Sequence, residues 1–328
     1  MKSLTIIIPT LNEEKNIVPC LNSIFSQNYD KKKLQVVVVD GGSTDKTIEI
    51  SKKMGAEVMF NPFKVEERGR PLAIKKVARG EIVSTMDADN LIPPKDKDWL
   101  KKMIEPFEDK EIFASETAYM DYRPHDTMIT KYNVLVGGDD PIASYLGIND
   151  KYCYFTDKLI GTPHQEIDKG NYIKVILQGN KTPAAGSNGF FCRRELFSEV
   201  ESDPYIHPLF IERLVKKGYN KMALVKQGII HFQNGSIRTY FRKKLRRIQR
   251  RQTGELDWGN NYGIKTKDII KVSLYIATII LPIKDSILGF FKKPTSAWFF
   301  HPIACYGLLI LYGYYTLFNG NLRKDILR

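Results

Sequence analysis

The sequence predicts an α/β fold around a mainly parallel, Rossmann-like sheet, and three observations carry that prediction. Short β-branched apolar runs alternate with stretches of helical spacing from residue 4 to residue 89, the pattern of strands joined by helical crossovers. Two of the runs end in acidic loops, Asp40-Gly41-Gly42-Ser43-Thr44-Asp45 and Asp87-Ala88-Asp89, and sheets of this kind bind ligands beyond the carboxyl ends of their strands. With 43% hydrophobic and 27% charged residues, the chain has the apolar content for a sizeable core.

Taken in order, residues 4–9 read as a strand buried on both faces. Residues 12–27 have helical spacing, with Ile17, Leu21, Ile24 and Phe25 on one face. A second buried strand occupies 34–39, a helix 47–54 and a third short strand 57–60. A helical stretch over 71–78 leads to a strand over 81–86. Residues 105–185 give mixed periodicity and no clear element. Order returns at Gly186-Ser187-Asn188-Gly189-Phe190-Phe191-Cys192-Arg193-Arg194, a turn leading into a strand, with a helix starting near Glu195. A helix over 208–217 ends at Gly218, a suitable C-terminal cap, and strand runs follow at 221–225 and 229–231.

Beyond residue 235 the composition changes twice. Arg238, Arg242, Lys243, Lys244, Arg246, Arg247, Arg250 and Arg251 interleave with Tyr240, Phe241, Leu245 and Ile248. That is a basic amphipathic helix suited to an anionic membrane surface. Residues 272–283 are uncharged but short for a span, whereas 297–318 supplies the roughly 20 residues a spanning helix needs. Trp298, Tyr312, Tyr314 and Tyr315 near its ends fit aromatic anchors; the plain alternative is that both segments are core helices of a soluble domain. The expected partition is one α/β domain over 1–235, a basic interfacial segment over 236–265 and membrane-associated helices over 266–328.

The net charge of +13 calls for a polyanionic partner. The adjoining apolar segments choose an anionic membrane, and no nucleic-acid partner is expected. Cys20, Cys153, Cys192 and Cys305 form no C-x-x-C pair, which suits a reducing compartment. The apolar run after Met1 is too short for a signal-peptide core. The chain is therefore expected at the cell membrane with its α/β domain facing the cytoplasm.

Asp87 and Asp89, one residue apart just past a buried strand, can present oxygen ligands to Mg²⁺ or Mn²⁺, and such a metal neutralises a diphosphate. A solvated acidic pair is the plain alternative. Asp40 sits at the equivalent edge of the neighbouring strand, where a carboxylate can accept from a base or from ribose hydroxyls. Asp45 is expected to cap the next helix.

Three stretches in this order and spacing, Thr5-Ile6-Ile7-Ile8-Pro9-Thr10-Leu11-Asn12-Glu13, Val38-Val39-Asp40-Gly41-Gly42-Ser43-Thr44-Asp45-Lys46-Thr47 and Asp87-Ala88-Asp89, resemble the family 2 glycosyltransferases of GT-A fold. With the later elements the resemblance covers about residues 3–235. It implies an inverting enzyme that uses a divalent metal and a UDP- or GDP-sugar donor. Pro9, Thr10, Glu13 and Asp40 would line the nucleoside site, Asp87 and Asp89 would face ribose, diphosphate and metal, and Arg68 and Arg70 would touch the nucleotide. Ser187 and Asn188 match the acceptor-side turn, and His231 matches a position that can add a metal or phosphate ligand.

One departure stands out. Many family members carry Glu-Asp where this chain has Ile206-His207. Transfer to a neutral hydroxyl needs a general base, and Asp203, His207 and the Asp139-Asp140 pair are the candidates. A lipid-phosphate acceptor is already anionic and needs none. The leading expectation is transfer to a lipid-linked saccharide for a surface or glycoprotein glycan, the alternative a polyprenyl-phosphate sugar synthase. A non-catalytic nucleotide-sugar sensor and a basic membrane scaffold are the readings from outside the enzyme class.

Overall fold

The computed structural model describes residues 1–138, 140–146, 151–154, 162–179, 182–183, 185–186, 188–231, 235–252, 266–278 and 280–318. In chain order its elements begin β1 (Leu4–Thr10), α1 (Glu14–Phe25), β2 (Leu34–Asp40), α2 (Thr47–Lys53), β3 (Glu57–Phe60), α3 (Glu66–Lys76), β4 (Ile82–Thr85), β5 (Asn90–Leu91) and α4 (Trp99–Ile104). They continue with β6 (Ala114–Asp121), α5 (Met128–Leu135), α6 (Pro141–Leu146), β7 (His164–Asp168), β8 (Tyr172–Leu177), β9 (Phe190–Arg193), α7 (Leu196–Glu199), α8 (His207–Lys216) and β10 (Lys221–His231). Four helices follow: α9 (Ile237–Gln252), α10 (Thr266–Ala277), α11 (Ile280–Lys292) and α12 (His301–Phe318).

The chain divides into two compact units, Met1–Asp121 with Thr162–Phe232, and Tyr122–Gly161 with Gln233–Arg328. The segment 122–161, which the sequence reading kept inside a continuous 1–235 domain, belongs with the C-terminal helices. Its periodicity is hard to read because α5 buries side chains, polar Thr130 and Asn133 among them, around most of its circumference, and α6 is only six residues long, so neither shows an apolar stripe.

The first unit is one mixed sheet in the order β3-β2-β1-β4-β9-β6-β10-β8-β7, with β5 on β10. Its parallel core, β3-β2-β1-β4, is the alternating strand–helix region of the sequence. Val36, Val37, Val38 and Val39 are at most 4% exposed, as befits a strand covered on both faces. The register Thr10↔Asp40 sets the carboxyl ends of β1 and β2 side by side. Beyond β4 the strands add antiparallel pairs, β9 on β4 and on β6. The two runs expected at 221–225 and 229–231 are one strand, β10, with an irregularity between Val225 and Gly228. Trp99 from α4 is 1% exposed, packs against Phe191 as a tilted ring pair with centroids 5.8 Å apart and donates its indole N–H to the Gly228 carbonyl at 2.8 Å.

The second unit is helical. Tyr132, Tyr240, Trp298, Phe300 and Ala304 form one apolar cluster and Val272, Ile276, Cys305 and Leu308 another. The apolar stretch expected over 272–283 is divided between α10 and α11, and the one over 297–318 opens as a 3₁₀ turn, Ser296–Phe300, before α12. His301 is fully buried and its ring nitrogens lie 2.8 Å from the Tyr132 hydroxyl and 2.9 Å from that of Tyr275. Parts of the expected 236–265 and 266–328 segments, residues 253–265 and 319–328, lie outside the described residues.

Candidate active site at the carboxyl ends of the parallel strands

The corner between β1 and β2 is built by its own side chains. Asp40 is 1% exposed. Its Oδ1 accepts the backbone N–H groups of Gly42 and Ser43 at 2.8 and 2.7 Å, and its Oδ2 accepts the hydroxyls of Thr10 and Ser43 at 2.9 and 2.5 Å. A carboxylate has about four acceptor positions, so these four donors saturate it. Asp40 staples the turn after β2, and Gly42, at φ +101°, supplies the left-handed backbone that the turn requires. Asp45 accepts from Thr47 N–H at 2.9 Å and Glu14 N–H at 3.1 Å, so one carboxylate ties down the starts of α2 and α1. Glu13 precedes α1; its carboxylate accepts from the Asn16 amide at 2.8 Å. Pro9 and Thr10 close β1 opposite Val39 and Asp40. The sequence-named nucleoside residues thus meet at one sheet edge.

The acidic pair after β4 diverges. Asp87 is ion-paired with Arg70, which also holds Glu66 at 2.9 Å from one turn earlier on α3. Arg70 is 8% exposed, so burial strengthens its charge-assisted bonds. Burial raises the Glu66 carboxyl, and Asp87, Glu67 and Asp89 add to that against the pull of Arg70. Asp89 points the other way, its Oδ2 lying 3.0 Å from Nε2 of His231 and its Oδ1 accepting from the Asn90 amide at 3.0 Å. The two-residue strand β5 makes this meeting: its register His231↔Asn90 on β10 brings together residues 142 positions apart. Burial works to raise the Asp89 carboxyl, but His231 and Asn90 prevail and hold it below the usual carboxylate range. Beneath the pair, Cys20 Sγ approaches the Asp87 carbonyl at 3.8 Å; burial and the nearby Asp89, Asp87 and Glu13 push its thiol pKa up, so it is an unreactive packing group.

Among the described residues no cluster of three or more His, Cys, Asp or Glu has metal-site geometry. The donor chemistry nevertheless fits a hard divalent cation completed by substrate. Mg²⁺-type sites commonly use one or two carboxylates, with phosphate oxygens and water filling the rest, and Asp89 with His231 supplies a carboxylate and an imidazole at one point.

Arg68 and Arg70 separate. Arg70 reaches Asp87, whereas Arg68 lies over the Phe63 ring at 3.8 Å and pairs with Asp203 at 3.3 Å, both partners about half exposed. Asp203, a sequence-named base, is therefore engaged by a cation. His207 begins α8 and lies against the acceptor-side turn: a Cβ on Gly186, which has φ +111°, would come within 2.7 Å of the His207 Cβ. Only glycine fits there, so the turn and His207 are locked together. Asn188 Oδ1 is buried and has no hydrogen-bond partner among the described residues. Ser187 and Asp139 lie outside the described residues.

Three neighbours were missed by the sequence reading. Glu66 carried only the signal of i,i+4 spacing to Arg70. Glu116 is fully buried on β6 and accepts from Gly186 N–H at 3.3 Å, while Tyr205 donates its hydroxyl to the Gly186 carbonyl at 3.1 Å. Glu116 fell in the stretch without readable periodicity.

Residues 5–158 match the family model described as glycosyl transferase family 2. Among curated proteins, the dolichyl N-acetyl-α-D-glucosaminyl phosphate 3-β-D-2,3-diacetamido-2,3-dideoxy-β-D-glucuronosyltransferase of Methanococcus voltae is 35% identical over 114 residues, covering 33% of this chain and 35% of that one. The poly(ribitol-phosphate) β-N-acetylglucosaminyltransferase TarS of Staphylococcus aureus is 30% identical over 146 residues, 43% of this chain and 23% of its own. The chain thus spans about a third of the first relative and a quarter of the second. Among solved structures, glucosyl-3-phosphoglycerate synthase from Mycobacterium tuberculosis, in complex with Mn²⁺, UDP and glucosyl-3-phosphoglycerate, aligns with TM-score 0.45 and 18% identity over 71% of this chain and 73% of its own. The family match begins in β1 and takes in both acidic loops, and it makes residues 5–158, a little under half of the chain, a glycosyl transferase family 2 segment.

Proposed function

We propose that this chain is a metal-dependent inverting glycosyltransferase that moves a sugar from a UDP- or GDP-sugar to a lipid-linked saccharide acceptor, working at the cell membrane with the α/β unit in the cytoplasm. The observation that carries the reading is the Asp89–His231 pair at the carboxyl ends of the sheet, 3.0 Å apart and within the same unit as the Arg70–Asp87 pair. The nucleoside would lie along the β1–β2 corner, between Pro9, Thr10, Glu13 and the turn that Asp40 holds. Asp89 and His231 would hold Mg²⁺ or Mn²⁺, with substrate phosphate and water completing the shell, and the metal would supply charge neutralisation for the departing diphosphate. Arg70, freed from Asp87 as the diphosphate arrives, would place a planar cation on it.

In the transfer the acceptor oxygen forms its bond to the anomeric carbon as the anomeric carbon–phosphate oxygen bond breaks. The bonding pair leaves on the nucleoside diphosphate, and configuration inverts. A hydroxyl acceptor gives up its proton to His207, which abuts the acceptor turn, while Asn188 accepts a hydrogen bond from the sugar. The engagement of Asp203 by Arg68 favours a second reading, transfer to a polyprenyl phosphate that needs no base.

The test is radiolabel transfer from a panel of UDP- and GDP-sugars in detergent with Mn²⁺, offering a lipid-linked saccharide and polyprenyl phosphate separately. Label on the saccharide supports the first reading and label on the phosphate the second. Donor binding without transfer to either acceptor and without hydrolysis would make the chain a sensor, and absence of donor binding would overturn the proposal.

A further inference from the structure

Helix α11 is packed inside out for a protein in water. Its inward positions are Pro282, Ser286 and Gly289, all buried. Its outward positions carry the large apolar groups: Ile280 is 72% exposed, Ile283 44%, Ile287 46%, Leu288 46% and Phe291 78%. An aqueous helix turns its Ile, Leu and Phe face to the core. Small residues inward and large apolar residues outward is instead the arrangement of helices solvated by lipid. The inward choice is required sterically, because the Trp298 ring sits where a Cβ on Gly289 would come within 2.5–2.6 Å.

We propose that α11 is an in-plane membrane anchor, lying along the surface of an anionic bilayer with its Ile280, Ile283, Ile287, Leu288 and Phe291 side chains among the upper acyl chains. The inference rests on the membrane attachment proposed above and deepens it by naming the element and its orientation. Thirteen residues at 1.5 Å each make about 20 Å, short of the ~30 Å hydrocarbon core, so α11 does not cross alone. Lys284 is exposed in the middle of the apolar stripe, four residues from both Ile280 and Leu288. In a crossing helix that ammonium would lie deep in hydrocarbon. In an in-plane helix its stem reaches the headgroups at once. Lys271 and Lys292 are also exposed, and the chain's net charge of +13 complements anionic lipid. On α10, Ile270 and Leu274 are also exposed, 56% and 64%.

The test uses the full chain and vesicles of phosphatidylcholine with and without phosphatidylglycerol. The wild type is expected to float with the anionic vesicles, and Phe291→Asp to lose about a hundredfold in partition. The four native cysteines are buried, so a nitroxide label enters selectively at Ile280→Cys, Ile287→Cys or Phe291→Cys. Equal, shallow depths at the three sites support the in-plane helix. Depths that grow along the helix, by up to the roughly 16 Å that eleven residues span, would overturn it while leaving attachment standing, as would unchanged flotation of Phe291→Asp. No flotation of the wild type would remove attachment and anchor together, whatever the transfer assay gives. Self-association that the aspartate variant abolishes, without vesicle binding, would assign the face to a second copy and overturn the anchor.

Discussion

The β1–β2 corner and helix α11 follow opposite solvent rules. In the sheet unit the large apolar side chains are inside, Val36 to Val39 at most 4% exposed, and the buried Asp40 and Arg70 have partners. In α11 the small Ser286 and Gly289 are inside and Phe291 stands 78% exposed. The difference teaches where each region's free energy comes from. The sheet is stabilised by removing apolar area from water at about 25 cal/mol per Å². The outer face of α11 gains much less of that kind from the fold, with Ile280 and Phe291 72% and 78% exposed, and on the proposal above the remainder comes from lipid.

The largest effect expected is on catalysis. Asp89→Ala removes the carboxylate that His231 and Asn90 hold ionised, and transfer is expected to fall by about 10³-fold or more, in the range of losing a preorganised electrostatic group. Melting temperature should move little, and both are read on the same preparation. A variant within tenfold of wild type would detach the chemistry from this corner.

The comparison itself is sharpened by a matched pair. Val38→Ser in the sheet is expected to cost about 3 kcal/mol, from lost burial plus an added buried hydroxyl. Ile287→Ser in α11 should cost under about 0.5 kcal/mol in detergent-free buffer. Denaturant unfolding measures both, and equal costs would mean that the α11 face is packed after all. Gly186→Ala comes next: with φ +111° and His207 in the way, it is expected to lose about 1–3 kcal/mol and to depress transfer more than donor affinity, because the strain falls on the acceptor side. The smallest effect is that of Arg68→Ala. Its pair with Asp203 is half exposed, and screened pairs of that kind contribute a few tenths of a kcal/mol at most.

Much of the sheet unit could be read from sequence because local rules and the final environment agree there. Strands β1, β2 and β4 are short β-branched runs buried on both faces, and the acidic loops follow them directly. The nucleoside-side residues Pro9, Thr10, Glu13 and Asp40 are local to those loops. Residues that meet only through tertiary pairing were harder. His231 reaches Asp89 through β5, two residues long, which no periodicity can announce. Asp40 was expected to meet ligand, and the structure adds that four of the chain's own donors saturate it. Arg68 and Arg70 looked equivalent in sequence, yet their spacing on α3 turns one to Asp203 and the other to Asp87. The segment 122–161 was illegible because α5 is buried on most sides, which erases the amphipathic signal, and α6 is only six residues long.

The most direct test of the central claim, that the corner around Asp89 binds a metal–diphosphate, is calorimetric titration of UDP and GDP into wild type and Asp89→Asn, each with Mn²⁺ and with EDTA. The account predicts Mn²⁺-dependent binding of one nucleotide by the wild type and a loss of about a hundredfold in the variant, with the residual affinity indifferent to metal. Equal affinity with Mn²⁺ and with EDTA, or an undiminished Mn²⁺-dependent affinity in Asp89→Asn, would contradict it.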